Sequence, residues 1–311
     1  MKPEDIKNKK ILFSALNWGM GHVSRSISII QQLVQQGNQL FIACSENQKI
    51  IFNCYFPDLK YINHEGYPFK FKGKGNFETD LALNFFSLFK RLKSEKTEVE
   101  KMIEDHQIDI IISDHRYGFH STNVQSIFIT HQINLPVNWV LNWVDGIHKK
   151  LIKKFSTIWL LDTYESTFAG ELSRSKNEKN VEYIGIHSRF SLYPLKEKSI
   201  SKIVIVSGPE PYANQFFLSQ LEKAKKANEK TIFIIPSNNY NQSKTENIQI
   251  ISSTDWKKCD ELILKAEKIV SRAGYSTIMD IETLQAKSEL HPTKGQKEQE
   301  YLFEIRKRLP H

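Results

Sequence analysis

Three stretches of the chain join glycine to residues able to do chemistry, and each directly follows an apolar, β-branched run. The first is Trp18-Gly19-Met20-Gly21-His22-Val23-Ser24-Arg25, after Ile11–Ala15. Its glycines, Gly19 and Gly21, permit a tight bend and leave the amides of the following helix open to an anion or oxyanion. His22 falls at the helix start, where an imidazole has no packing reason to be. A dinucleotide fingerprint would need a third glycine where Ser24 stands, which weakens an NAD reading. A plain strand-to-helix turn is the alternative. The second stretch, Val206-Ser207-Gly208-Pro209-Glu210-Pro211, offers amides to a phosphate, although its two prolines each remove a donor.

The third stretch is Ser271-Arg272-Ala273-Gly274-Tyr275-Ser276-Thr277. Here an arginine, hydroxyl groups and the start of a helix converge where a diphosphate would be held. Glu282, about two turns into that helix, is within reach of a ribose diol. Further on, Gln296 and Gln299 stand three apart at another helix start. Such amides suit sugar hydroxyls, which need both donors and acceptors; an exposed polar helix is the plainer reading. No Asp-x-Asp, Gly-Lys-Ser/Thr or Gly-x-Ser-x-Gly motif occurs, and His115 and His120 lack a carboxylate companion. No metal site is therefore expected.

The elements that must position these residues read as an α/β series. Strands are expected at Ile11–Ala15, Gln39–Ala43, Asp109–Ser113, Ile127–Thr130, Thr157–Leu161 and Glu182–Ile184, with helices at Val23–Gln36 and Asp80–His106. A linker without periodicity follows, running from His187 to Ser199 around Pro194. A second series has strands at Lys202–Val206, Thr231–Ile235, Ile248–Ile251, Lys268–Val270 and Ser288–His291. Its helices are Tyr212–Asn228, Trp256–Ala266, Ser276–Gln285 and Gln296–Arg308. Two Rossmann-like domains facing across a cleft are expected: residues 1–188, a linker at 189–200, and residues 201–311. Ligands should bind at the carboxyl ends of the strands.

Composition narrows the class. A chain of 311 residues, 40% hydrophobic and 25% charged, suits about two globular domains and excludes a disordered protein. Three scattered cysteines build no disulfide framework, and no apolar run approaches a membrane span. The polar Met1–Lys10 is no signal peptide, so a cytoplasmic protein is expected. The net charge of +8 is carried by scattered lysines, with no nucleic-acid motif, so no nucleic-acid partner is expected.

Taken in order, these motifs resemble the GT-B glycosyltransferases, specifically the family 28 group that includes the lipid-linked N-acetylglucosaminyltransferase of peptidoglycan synthesis. Among that group the chain looks most like uncharacterised bacterial sugar transferases. The resemblance also rests on Ile111-Ile112-Ser113-Asp114-His115-Arg116-Tyr117-Gly118, Phe128-Ile129-Thr130-His131-Gln132, Ala169-Gly170-Glu171-Leu172-Ser173, Tyr183-Ile184-Gly185 and Pro292-Thr293-x-Gly295-Gln296-x-Glu298-Gln299. It implies an inverting, metal-independent transfer of a hexosyl group, hexose or N-acetylhexosamine, from a UDP-sugar to a hydroxyl acceptor. The UDP-sugar is a substrate, and no cofactor is implied. His22 would lie beside the reacting hydroxyl, with Gly19, Gly21, Arg25 and Asp114 on the acceptor side. Ser207, Gly208, Arg272, Gly274, Tyr275 and Ser276 would line the diphosphate. Glu282 would meet the ribose, and Gln296 with Gln299 the donor sugar.

Two departures stand out. Tyr212-Ala213 replaces a polar-basic pair frequent in relatives. The chain also reaches His311 without the final helix that usually crosses back to the first domain. A UDP-sugar 2-epimerase of the same fold and a non-catalytic nucleotide-sugar or lipid-binding module are the alternatives. A lipid-linked acceptor would fit peripheral contact with the inner, anionic face of the plasma membrane. The segments behind this expectation are Phe85–Lys93, Trp139–Trp143 and His148–Lys154; ordinary core aromatics with solvating lysines are the competing reading.

Overall fold

The structure is a computed structural model that describes residues 1–68, 77–136, 142–175, 180–208, 210–236 and 246–308. Pro209, Trp139–Leu141, much of the Tyr67–Asp80 loop and the side chains of Phe85 and Phe86 lie outside what is described. The chain divides into two compact units, one reaching to Arg189 and the other running from Phe190 to Lys307.

In the first unit the strands are β1 (Lys10–Ala15), β2 (Gln39–Cys44), β3 (Lys60–Asn63), β4 (Ile110–Asp114), β5 (Gln125–Thr130), β6 (Thr157–Leu160) and β7 (Val181–Tyr183). They form one sheet in the order β3-β2-β1-β4-β5-β6-β7, and every pairing is parallel. The helices are α1 (Gly21–Gln35), α2 (Glu46–Tyr55), α3 (Phe77–His106) and α4 (Asn142–Ile152). Near-continuous apolar strands such as Ile110–Ile112 follow from a parallel sheet covered on both faces, where no side of the strand meets water. Leu12, Phe41, Ile111 and Phe119 pack with Val99 of α3 on one side, and Phe128, Ile158 and Leu160 pack with Ile152 of α4. Helix α1 buries Val23, Ile27, Ile30 and Leu33, spaced for one helical face, and stops before Gly37 at φ +79°.

The second unit repeats the plan with β8 (Ile200–Ile205), α5 (Tyr212–Ala227), β9 (Thr231–Ile235), β10 (Ile248–Ser252), α6 (Trp256–Leu264), β11 (Ala266–Arg272), α7 (Tyr275–Leu284), β12 (Lys287–His291) and α8 (Lys297–Arg308). Its sheet is again all parallel, in the order β10-β9-β8-β11-β12. Phe216 and Phe217 of α5 pack on Val204, Phe233 and Val270. Both sheets reverse their winding between the first strand and the fourth. At such a switch point the two flanking crossovers leave in opposite directions and open a crevice at the strands' carboxyl ends.

The expected α/β series is present, with three additions and small shifts of boundary. Helices α2 and α4 and strand β3 are not among the expected elements. Strand β3 is a sheet edge with no buried residue, so it lacks the apolar run by which strands are recognised. Helix α2 has a sequence signal after all, a capping box in which Ser45 and Gln48 exchange bonds. Among the described residues no helix is long and apolar enough to cross a membrane.

Candidate functional site

The switch point of the first sheet lies between β1 and β4, whose last residues, Ala15 and Asp114, are in register. The turn after β1 bends at Gly19, where φ is +100°, a conformation costly for any side chain. Helix α1 then begins at Gly21, which puts His22 and Arg25 on its first turn beside the end of β4.

Asp114 is fully buried and collects the group together. Arg25 donates to both its carboxylate oxygens, Nε to Oδ2 at 2.8 Å and Nη2 to Oδ1. The Oγ of Ser26 donates to Oδ2 at 3.3 Å, and His22 Nδ1 lies 3.0 Å from Oδ1. Arg25 Nη2 is also 2.9 Å from His22 Nδ1. A carboxylate can only accept, so the Asp114 contact suits a proton on His22 Nδ1, whereas Arg25 Nη2 can only donate and suits a lone pair there. Its Nε2 makes no hydrogen bond among the described residues, and the side chain keeps 17% of its surface exposed. In the Nδ1–H tautomer the imidazole has a lone pair open to solvent and its other nitrogen held by a carboxylate, the arrangement of a base.

The electrostatics are unusual for such a pair. Burial would raise the Asp114 pKa, but Arg25 and then His22 hold the carboxyl well below the usual carboxylate range. Burial and then Arg25 lower the His22 pKa below 6.5, outweighing the pull of Asp114, so the imidazole is neutral at pH 7. Arg25 Nη1 donates to His131 Nδ1 at 3.0 Å. His115 follows Asp114 in a left-handed conformation, φ +61°, with its ring 5.4 Å from that of His22. Its Nε2 donates to Thr130 Oγ1 at 2.8 Å, while that hydroxyl donates to the Gln132 carbonyl at 2.9 Å. Burial holds His115 neutral as well. His131 and His115 lie in segments legible as motifs, but their part in this cluster is visible only once β4 and β5 are paired.

A second buried network braces the same loops. Tyr67 N–H donates to Asn17 Oδ1 at 2.9 Å, tying the β1 turn to the segment after β3. Tyr67 Oη donates to Glu95 Oε2 at 2.6 Å, and Arg116 Nε donates to Glu95 Oε1 at 2.7 Å. Glu95 and Arg116 are both fully buried. Nothing in the charged stretch of α3 around Glu95 marks that carboxylate as interior, so sequence reasoning missed it.

In the second unit the switch point lies between β8 and β11, with Ile205 opposite Ser271. Ser207 is half-buried and Gly208 exposed at φ +106°, directly after β8. Helix α7 starts at Tyr275 with Gly274 as its cap residue, which has no side chain to cap it. Tyr275 is buried and Ser276 half-buried. Arg272 reaches neighbouring loops: Nη2 donates to the Tyr212 carbonyl at 2.8 Å and Nη1 to the Pro292 carbonyl at 3.3 Å, with the guanidinium 4.5 Å from the Phe216 ring. Glu282 is ion-paired with Arg306. Gln299 Oε1 accepts from Thr293 N–H at 2.9 Å, while the Gln296 side chain makes no bond among the described residues. The expected residues thus form two groups, one at the carboxyl edge of each sheet, apart from Glu282, which lies in the last turn of α7 and pairs with Arg306 near the end of α8. Arg272 and Gln299 carry internal bonds. Among the described residues no group of His, Cys, Asp or Glu is placed to hold a metal ion.

No family model matches the chain, and no curated protein matches it. Solved structures do. The glycotransferase of kitacinnamycin superposes with a TM-score of 0.66 at 11% identity, covering 96% of this chain and 85% of that one. The spinosyn rhamnosyltransferase SpnG complexed with thymidine diphosphate gives 0.59 at 11% identity, covering 93% and 82%. SpnG complexed with spinosyn aglycone gives 0.57 at 14% identity, covering 92% and 81%. At such identities the likeness establishes the fold, and the chain has the GT-B fold of two Rossmann-like α/β domains with parallel sheets.

Proposed function

We propose that this protein is a glycosyltransferase that moves a sugar from a nucleoside diphosphate to a hydroxyl acceptor. The observation that carries the reading is His22: Nδ1 held on buried Asp114, Nε2 open, at the carboxyl edge of the first sheet. In the proposed step the acceptor hydroxyl gives its proton to His22 Nε2 while its oxygen attacks the anomeric carbon. The bond from that carbon to the diphosphate breaks, and the electron pair leaves with the diphosphate. A single displacement of this kind inverts the anomeric centre.

Metal independence is part of the proposal and is supported by the missing Asp-x-Asp motif. The motif resemblance favours a UDP-sugar donor carrying hexose or N-acetylhexosamine, and a lipid-linked acceptor. The bound ligand of SpnG favours a second donor, a thymidine diphosphate sugar, and its aglycone complex favours a free acceptor. The test is turnover of UDP- and TDP-sugars in EDTA, with and without lipid extract. His22→Gln should lower transfer on the order of 10²-fold or more while the melting temperature holds. Near-normal transfer by that variant would remove the base assignment, and no turnover of any donor would remove the reading.

A further inference from the structure

An imidazole held by a carboxylate alone becomes half of a neutral ion pair when it takes a proton. That outcome makes it a stronger base. The geometry here differs. Arg25 binds both oxygens of Asp114 in a fork and brings Nη2 to 2.9 Å from His22 Nδ1. Arg25 and Asp114 are 3% and 0% exposed, so water screens neither. The carboxylate is already neutralised by the guanidinium, and a proton on His22 would add a cation directly beside it. The other groups facing His22 do not offset this. From the end of β4 it meets His115, which is neutral, and beyond Arg25 lies His131, which accepts from that arginine through Nδ1.

We infer that Arg25 is a positioning residue that limits how strongly His22 takes a proton, and that the acceptor is an acidic hydroxyl of the phenol or enol class. The inference rests on the glycosyl-transfer reading above. A phenol holds its proton with a pKa of about 10. An aliphatic hydroxyl is far less acidic, closer to water. A damped base assists the first far more than the second, because the proton must move toward His22 as the new bond forms. The balance of the step is unchanged: the proton passes from oxygen to His22 Nε2, the oxygen–carbon bond forms, and the diphosphate departs with the electrons of the broken bond.

Two measurements on the full chain decide it. Proton NMR titration of the His22 ring, assigned by the signal lost in His22→Gln, should give a midpoint below 6.5 in the unmodified protein. Arg25→Met should raise that midpoint, and Arg25→Lys, which keeps charge without the fork, should fall between. An unmodified midpoint at or above 6.5 overturns the role of Arg25 even if the Met variant fails to fold. Initial transfer rates to phenol and 4-nitrophenol should exceed those to cyclohexanol at least tenfold, with UDP-glucose, UDP-N-acetylglucosamine and TDP-glucose offered as donors. Equal or faster transfer to cyclohexanol overturns the acceptor class. No turnover of any donor, even by hydrolysis, overturns glycosyl transfer itself, and the titration still decides Arg25.

Discussion

Replacing Asp114 by Asn removes one charge from a site where everything else depends on it. The side chain keeps its shape, but Arg25, 3% exposed, loses its counterion and cannot shed its own proton to compensate. Removing one partner of a buried pair costs about 3–5 kcal/mol. For a unit of this size each kcal/mol lowers the melting temperature by about 2–4 °C, so a fall of roughly 6–20 °C is expected. The double variant Arg25→Met, Asp114→Leu leaves no charge stranded and should cost much less than the sum of its singles. Tryptophan fluorescence, to which buried Trp159 of β6 contributes for the first unit and Trp256 of α6 for the second, follows unfolding during a thermal ramp, with urea titration giving the free energy. The reasoning fails if Asp114→Asn lies within about 1 kcal/mol of the unmodified protein. It fails equally if the double variant loses as much as the two singles added together.

Acid should destabilise the first unit. Burial lowers the His148 pKa to about 4, with Tyr117 Oη donating to its Nδ1 at 2.9 Å. Because the folded-state value is the lower one, stability is full above about 6.5 and falls as pH drops toward 4, by about 3 kcal/mol in all for this group. Urea midpoints at pH 7.5 and 5 should show this loss, and His148→Gln should lessen it; parallel curves would contradict the assignment. Gly118→Ala places a Cβ 2.5 Å from Glu95 Oε2 and 2.7 Å from the Leu92 carbonyl, so a cost of about 1–3 kcal/mol is expected by urea unfolding. Asn17→Ala removes the acceptor for the Tyr67 amide and should speed its hydrogen exchange relative to the amides of β1, a difference that amide-resolved exchange would reveal.

Much of this molecule was legible before any coordinates. Thr231–Ile235 was bounded correctly because a β-branched run between polar neighbours leaves few alternatives. His22 was singled out because an imidazole after two glycines serves no core. What escaped was whatever depends on distant pairing. His22 and Asp114 are 92 positions apart, and only the register of β1 against β4 brings the carboxylate under the imidazole. Glu95 sits among lysines and glutamates that look solvated, yet packing encloses it against Arg116 and Tyr67. The position of Arg272 was visible, but not its bonding, since backbone carbonyls leave no trace in the sequence.

That bonding makes separate loops into one part. The turn into α5, the end of β11 and the turn into α8 would each fluctuate on its own, and each would have to be ordered when a ligand arrives. A single guanidinium fastens the first and the last to the middle. The ordering entropy is thereby spent during folding, so a ligand meeting this edge binds a surface already set. The same economy carries a vulnerability: loosening Arg272 would free both turns together, and a defect at either one would be felt at the other.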